Sequence, residues 1–243
     1  MSADFHIIIP ARYQSSRLPG KLLMDIHGMT VLERVYRQAC LAKPQSVCIG
    51  TDSELIASHA KTFGAQVVMT SSRHQSGTDR VAEVAAKVGY QPDDILVNVQ
   101  GDEPFIDPQL IQQAAQSLLN TKASMATLCW PIDSLELLHN PNVVKVVRSK
   151  NNQALYFSRS PIPANREEPS SYANTFRHIG LYAYRAAFLL DFVSWPVCEL
   201  EEQEQLEQLR ALWAGVAIQV EEACLKPLQD INTLEDLLKA RSG

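Results

Sequence analysis

The sequence has no CxxC pair, and its five cysteines are odd in number and scattered: Cys40, Cys48, Cys129, Cys198 and Cys224. That pattern argues against a structural zinc site or a disulfide framework, and for reduced packing residues in a cytoplasmic protein. No run is long and apolar enough to span a bilayer. Asp4 and His6 stand before the first apolar stretch, where a secretory signal would carry a basic region. Neither export nor membrane insertion is expected. A basic tail is also missing. The formal net charge is −5, which disfavours nucleic acid as a partner but leaves room for a local basic pocket. Internal repeats and low-complexity tracts are absent as well.

What remains is an ordinary globular composition. Of 243 residues, 46% are hydrophobic and 20% charged. One large domain, or a core with a smaller lobe, fits that length. Strands are expected at Phe5–Ile9, Ser46–Gly50, Gln66–Met69 and Ile95–Val99. Helices are expected at Thr30–Leu41, from the Thr51-Asp52-Ser53 cap to about Phe63, at Asp79–Val88 and from Pro108. The alternation implies parallel strands with covering helices. After Leu119 the pattern changes. Strands are expected at Ser124–Trp130, Asn142–Arg148, Leu155–Ser158, Ile179–Tyr184 and Ala217–Val220. A polar loop spans Ala164–Thr175. One acidic amphipathic helix is expected over Leu200–Ala214 and a terminal helix over Thr233–Ala240.

The first strand runs into Pro10-Ala11-Arg12-Tyr13-Gln14-Ser15-Ser16-Arg17-Leu18-Pro19-Gly20-Lys21. This loop matches neither GxxxxGK[ST] nor GxGxxG. It does carry Arg12, Arg17 and Lys21, two hydroxyls and a glycine. Main-chain N–H groups and fixed cations delivered by a buried strand suit a polyphosphate. The plainer alternative is a surface loop with solvated charges. A second stretch, Val97-Asn98-Val99-Gln100-Gly101-Asp102-Glu103, ends an apolar strand in two carboxylates. Asp102 there suits Mg²⁺, which takes one or two carboxylates with substrate phosphates; a turn before a helix cap reads equally well. A third, His74-Gln75-Ser76-Gly77-Thr78-Asp79-Arg80, is either a ligand-reading loop or a simple N-cap at Ser76 or Thr78.

Together these stretches resemble the sugar nucleotidyltransferases, and among them the 3-deoxy-manno-octulosonate (Kdo) cytidylyltransferase family. Further likeness lies in Tyr156-Phe157-Ser158-Arg159, in Arg177-His178-Ile179-Gly180-Leu181-Tyr182 and in Leu206-Glu207-Gln208-Leu209-Arg210, so it runs from Ile7 to Leu237. The resemblance implies an α/β three-layer sandwich with a mixed, mostly parallel sheet. It implies a single domain, 1–243, with a nucleotide-binding half at about 1–120 and a sugar-binding and dimerisation part at about 121–243. The implied reaction joins CTP and an acidic eight-carbon sugar with release of pyrophosphate, with Mg²⁺ as cofactor, in a cytoplasmic homodimer serving lipopolysaccharide synthesis.

The roles implied are as follows. Arg12, Lys21 and Asp102 are catalytic. CTP is held by Pro10, Ala11, Arg12, Arg17, Lys21, Thr70, Ser76, Gly77, Arg80, Gln100 and Gly101. The sugar meets Gln100, Arg159, His178, Tyr182, Glu207 and Gln208. Mg²⁺ sits on Asp102 with Asn232. The last residue is a departure: Asn232 stands where the family has an aspartate, and Asp230 lies two residues earlier. An amide oxygen ligates without charge, so metal affinity should fall. Two rival readings follow: a cytidylyltransferase for an amino-substituted Kdo or an acylneuraminate, and a CTP-binding regulator with weakened catalysis.

Overall fold

The computed structural model describes residues 4–14, 18–168, 171–228, 231 and 233–242. Its strands are β1 (His6–Ala11), β2 (Asp25–Ile26), β3 (Met29–Thr30), β4 (Ser46–Thr51), β5 (Gln66–Met69), β6 (Ile95–Asn98), β7 (Met125–Pro131), β8 (Lys145–Arg148), β9 (Ala154–Ser158), β10 (Phe176–Arg185) and β11 (Ile218–Glu222). Its helices are α1 (Val31–Leu41), α2 (Glu54–Thr62), α3 (Gly77–Val88), α4 (Pro108–Leu119), α5 (Leu135–His139), α6 (Ala186–Phe192), α7 (Glu199–Glu204), α8 (Leu209–Trp213) and α9 (Leu234–Ser242).

The main sheet runs β11-β7-β10-β6-β1-β4-β5. Only β10 opposes its neighbours on this path; β6, β1, β4 and β5 pair in parallel, as do β11 and β7. β8 and β9 branch off beside the start of β10. Alternation along β1 explains the layering. Ile7 and Ile9 join one core with apolar residues of α1, α2, α4 and α9, while Ile8 joins the other with α3, α6 and α8. The sheet is therefore buried on both faces, which accounts for its continuous apolar strands. The three-layer α/β sandwich expected from the sequence is the observed fold.

Local signals place the helices. Thr30, Ser53, Ser76 and Asp107 each cap a helix through a side-chain oxygen, and Ser76 with Asp79 forms a reciprocal capping box. α3 thus starts two residues earlier than its apolar periodicity suggests. β10 is longer than the expected Ile179–Tyr184, and the β2–β3 hairpin, α5 and α6 were not foreseen.

One expectation fails. Leu200–Ala214 is not a single helix but α7 and α8, broken at Gln205, whose φ of 52° is left-handed. The break has a partner. Arg159 donates from Nε to the Glu204 carbonyl at 2.6 Å and from Nη2 to the Gln205 carbonyl at 3.2 Å. It thereby satisfies acceptors that a continuous helix would have used internally. The apolar positions keep a helical period across the break, so periodicity cannot reveal it.

Lys145 on β8 is fully buried. Its Nζ donates to the carbonyls of Asn140 at 3.0 Å, Val143 at 2.6 Å and Arg159 at 2.5 Å. Burial lowers its pKa, yet three carbonyls consume all three N–H donors. Lys145→Met keeps the volume and strands those acceptors. It should cost about 2–4 kcal/mol of stability, read as a lower urea midpoint with an unchanged slope. An unshifted midpoint would show that Lys145 does not hold this corner.

Candidate active site

β1 and β6 lie side by side in parallel, with Ile7 opposite Val97 and Ile8 opposite Asn98. From β1 the chain goes on to β4 and β5 on one side, then returns to β6 on the other. Their carboxyl ends open onto the crevice where strand order reverses, the favoured ligand site of open α/β sheets. Pro10 and Arg12 emerge from one strand, Gln100, Gly101 and Asp102 from the other. Gly101 permits close approach, but to the protein itself: a Cβ there would lie 3.0 Å from the Pro10 carbonyl oxygen.

The loop returns through Gly20, at φ 69°, into the short 3-10 turn Lys21–Leu23. This turn aims Lys21 across the crevice. Its Nζ meets Asp102 Oδ2 at 2.5 Å and donates to the Ile231 carbonyl at 3.2 Å. The cleft encloses about 300 Å³. Its lining includes Arg12, Lys21, Asp102, Gln100, Ser76 and Arg80, along with Pro10, Gly77 and Gly101. The N-terminus of α3 faces it, adding free N–H groups and the positive end of a helix dipole. Arg80 is almost wholly buried; it pairs with Asp52 at 3.3 Å and donates to Thr70 Oγ1.

Nine expected residues thus share one cleft. Two sit behind it: Ala11 is buried within β1, and Thr70 reaches it only through Arg80. His74, Gln75 and Leu22 line the cleft unannounced by sequence reasoning, and Asp52 backs Arg80 without lining it. His74 and Gln75 lie inside the singled-out HQSGTDR stretch, and Asp52 lies just beyond a strand's carboxyl end, so position was the available signal. Arg17, Asp230 and Asn232 lie outside the described residues.

The residues expected to meet the sugar divide. Glu207 and Gln208 occupy the break between α7 and α8. Burial raises the Glu207 carboxyl's pKa, while hydrogen bonds with Thr78 and Ser76 work against that rise. Glu207 thereby ties the break to the N-terminus of α3. Gln208 Nε2 and the Tyr182 hydroxyl are buried with no hydrogen-bond partner among the described residues. The Tyr182 hydroxyl also lies within electrostatic reach of Glu207. Arg159 is different: three of its guanidinium donors go to the carbonyls of Glu204, Gln205 and Pro141. His178 lines a smaller cavity with Glu103, Phe105 and Leu228, away from the main cleft. A register shift between Ile179 and Tyr182 sets its surroundings, because Thr127 Oγ1 lies within 3.0 Å of both bulge carbonyls and of His178 Nε2.

Could the cleft hold a metal? Among the described residues no three His, Cys, Asp or Glu side chains gather. Among the described residues that line the cleft, Asp102 is the one carboxylate. That suits a cation which completes its shell with water and substrate phosphates.

The cleft at the switch point marks a nucleotide-binding α/β protein of the nucleotidyltransferase type. The comparisons narrow this. The cytidylyltransferase family model matches residues 6–222. The chain is 68% identical over 241 residues to the 3-deoxy-manno-octulosonate cytidylyltransferase of Legionella pneumophila (strain Lens), covering 99% of this chain and 96% of that one. It is 50% identical to the protein of that name from Tolumonas auensis, over 98% and 96% of the two chains. The solved CMP:2-keto-3-deoxy-manno-octonic acid synthetase, complexed with CTP, superposes with a TM-score of 0.91 at 38% identity, over 98% of this chain and 97% of that one. The chain belongs to the 3-deoxy-manno-octulosonate cytidylyltransferase family.

His178 gives a pH prediction. Burial pushes its pKa from 6.5 down to about 3. The folded value lies below the unfolded one, so between them the unfolded chain binds the extra proton. This contribution is complete above about pH 6.5 and is lost as pH falls towards 3, by about 1.4 kcal/mol per pH unit. Urea unfolding at pH 7 and pH 5 should show a steeper loss for the wild type than for His178→Gln. Parallel losses would mean that His178 is not held neutral.

Proposed function

We propose that this protein is an enzyme that transfers the cytidylyl group of CTP to 3-deoxy-D-manno-octulosonate, giving CMP-Kdo and pyrophosphate. The observation that carries this reading is the switch-point cleft. It sets Arg12 and Lys21 opposite Asp102, with Ser76, Gly77 and Arg80 along one wall. The matched relatives carry that name at up to 68% identity.

The chemistry follows from the charges. The anomeric oxygen of the sugar bonds to the α-phosphorus, the bond from that phosphorus to the β-phosphate bridging oxygen breaks, and pyrophosphate leaves. The hydroxyl proton departs to solvent. Arg12 forks onto phosphate oxygens, and Lys21 supplies a point charge on a flexible stem. Arg17 joins them in our reading. The N–H groups at the start of α3 add donors, so alignment and charge neutralisation carry most of the work. Asp102 would hold Mg²⁺, with Asn232 as second contact; bound there, the ion would neutralise phosphate charge and lower the pKa of the anomeric hydroxyl. Tyr182, Glu207 and Gln208 orient the sugar hydroxyls. Arg159 acts indirectly, by fixing the carbonyls that precede Glu207. His178 supports β10 beside Tyr182.

We also infer a cytoplasmic homodimer working in lipopolysaccharide synthesis. All five cysteines are free thiols, as suits a reducing compartment. The β8–β9 extension exposes Leu155 at 61% and offers an apolar surface to a second copy.

Two tests bear on this reading. Pyrophosphate release should be followed with CTP and Mg²⁺, offering Kdo, 8-amino-Kdo and N-acetylneuraminate in parallel. Kdo should exceed N-acetylneuraminate in kcat/KM by about 100-fold or more. A preference for another sugar would move the substrate, and no release with any would refute the reading. Asp102→Asn should lower kcat by about 10²–10³-fold with little change in thermal unfolding. Near-normal turnover in that variant would remove Asp102 from the reaction.

A further inference from the structure

The last stretch of the chain returns to the cleft at Ile231. This residue is 1% exposed and packs in the core layer that holds Leu22, Ile26 and Leu237. Its N–H donates to the Asp102 carbonyl at 3.0 Å, and its own carbonyl accepts from Lys21 Nζ at 3.2 Å. Two residues on, the Thr233 N–H donates to Asp236 Oδ2 at 2.8 Å and the Asp236 N–H to Thr233 Oγ1 at 3.2 Å, which fixes the start of α9. α9 then packs on β2, and Arg241 Nε donates to the Asp25 carbonyl at 2.8 Å. The C-terminal segment therefore grips one short stretch twice, at the first residue of the 3-10 turn and just past its end.

A lysine ammonium on a four-carbon stem is ordinarily mobile, and ordering it costs rotamer entropy. Here the Asp102 carboxylate and the Ile231 carbonyl take two of its three N–H donors from fixed directions, and the third can turn to a phosphate oxygen. The two partners differ in charge. The carboxylate has the same sign as phosphate and competes with it for the ammonium. The carbonyl is neutral and holds the ammonium without cancelling its charge. We propose that Ile231 is a positioning residue: its carbonyl, anchored by the buried side chain and by α9, sets Lys21 in the cleft and with it part of the affinity for the phosphates of the nucleotide. This rests on the reading above in which Lys21 meets those phosphates.

The test is calorimetric binding of CTP, with Mg²⁺ present, to full-length wild type, Ile231→Ala, Ile231→Val, Lys21→Met and the double variant of Ile231→Ala with Lys21→Met, with thermal unfolding of each. Ile231→Ala should bind CTP about 10-fold more weakly, and Ile231→Val, which keeps most of the buried side chain, as wild type. On the Lys21→Met background Ile231→Ala should cost nothing further, because Ile231 acts through Lys21. A cleft that had merely loosened would weaken CTP binding on both backgrounds. A backbone variant makes the test independent of whether Ile231→Ala folds. Cys224 is a free, exposed thiol, so a synthetic peptide of residues 224–243 can be ligated there with an ester in place of the Ile231–Asn232 amide. The ester weakens the carbonyl as an acceptor and leaves every side chain in place. It should bind CTP about 3-fold more weakly with Lys21 present and lose nothing on the Lys21→Met background. Unaltered CTP binding by Ile231→Ala or by the ester would overturn the proposal, as would an equal loss with and without Lys21. Wild-type affinity in Lys21→Met would instead refute the reading that Lys21 meets phosphate.

Discussion

Ile8 lies opposite Asn98 across the parallel β1–β6 ladder, and that register governs the site. It brings Pro10 level with Gln100 and sets the next residue, Gly101, so close that a Cβ there would lie 3.0 Å from the Pro10 carbonyl oxygen. A side chain at position 101 would press on the Pro10 carbonyl and on Leu22, which adjoins Lys21 in the 3-10 turn. Lys21 and Asp102 are 81 residues apart in sequence, yet the parallel strand ends bring them into direct contact.

A second set of constraints acts on the other wall. Lys145 holds the Arg159 carbonyl, and the Arg159 side chain holds the carbonyls of Glu204 and Gln205. Glu204 returns the contact, accepting from the Arg159 N–H at 2.9 Å and from Ser158 Oγ at 2.6 Å. The result is a rigid stop to α7, after which Gln205 turns left-handed and Glu207 and Gln208 face inward. Arg159 thus sets the position of Glu207 and Gln208 through backbone carbonyls alone. Its charge also remains close to the site, because carbonyl dipoles bind a guanidinium without neutralising it.

Much of this was legible in the sequence, and the illegible parts share a cause. Strand ends, Ser/Thr/Asp caps and the cationic loop are local signals, and residues 5–119 carry them in order. The cleft residues Arg12, Lys21, Ser76, Arg80 and Asp102 were legible for that reason, helped by resemblance in the quoted motifs. The α7–α8 break was not, since its cause is an arginine 45 residues away. The pairing of Asp52 with Arg80 was hidden likewise: locally Asp52 reads as part of a helix cap until the cation it meets is known. The approach of Gly101 to the Pro10 carbonyl was hidden too, because it joins two strand ends that are far apart in sequence.

The arrangement of strands also explains why the two stretches of the chain work as one site. β10, from the later part, inserts antiparallel between β7 and β6, so Tyr182 pairs directly with Asn98. Glu207 then reaches Ser76 and Thr78, and Tyr184 shares hydrogen bonds with Thr78 and Asn98. Five polar side chains, two from the later part and three from the earlier, thus meet in one network at the α3 N-terminus. Such a network is costly if any member moves away, because the partners left behind are desolvated and unpaired. Glu207 and Tyr184 therefore cannot shift independently of the α3 N-terminus. In-line attack on phosphorus demands this coupling, since a displacement of about 1 Å between nucleophile and phosphate can cost two orders of magnitude in rate.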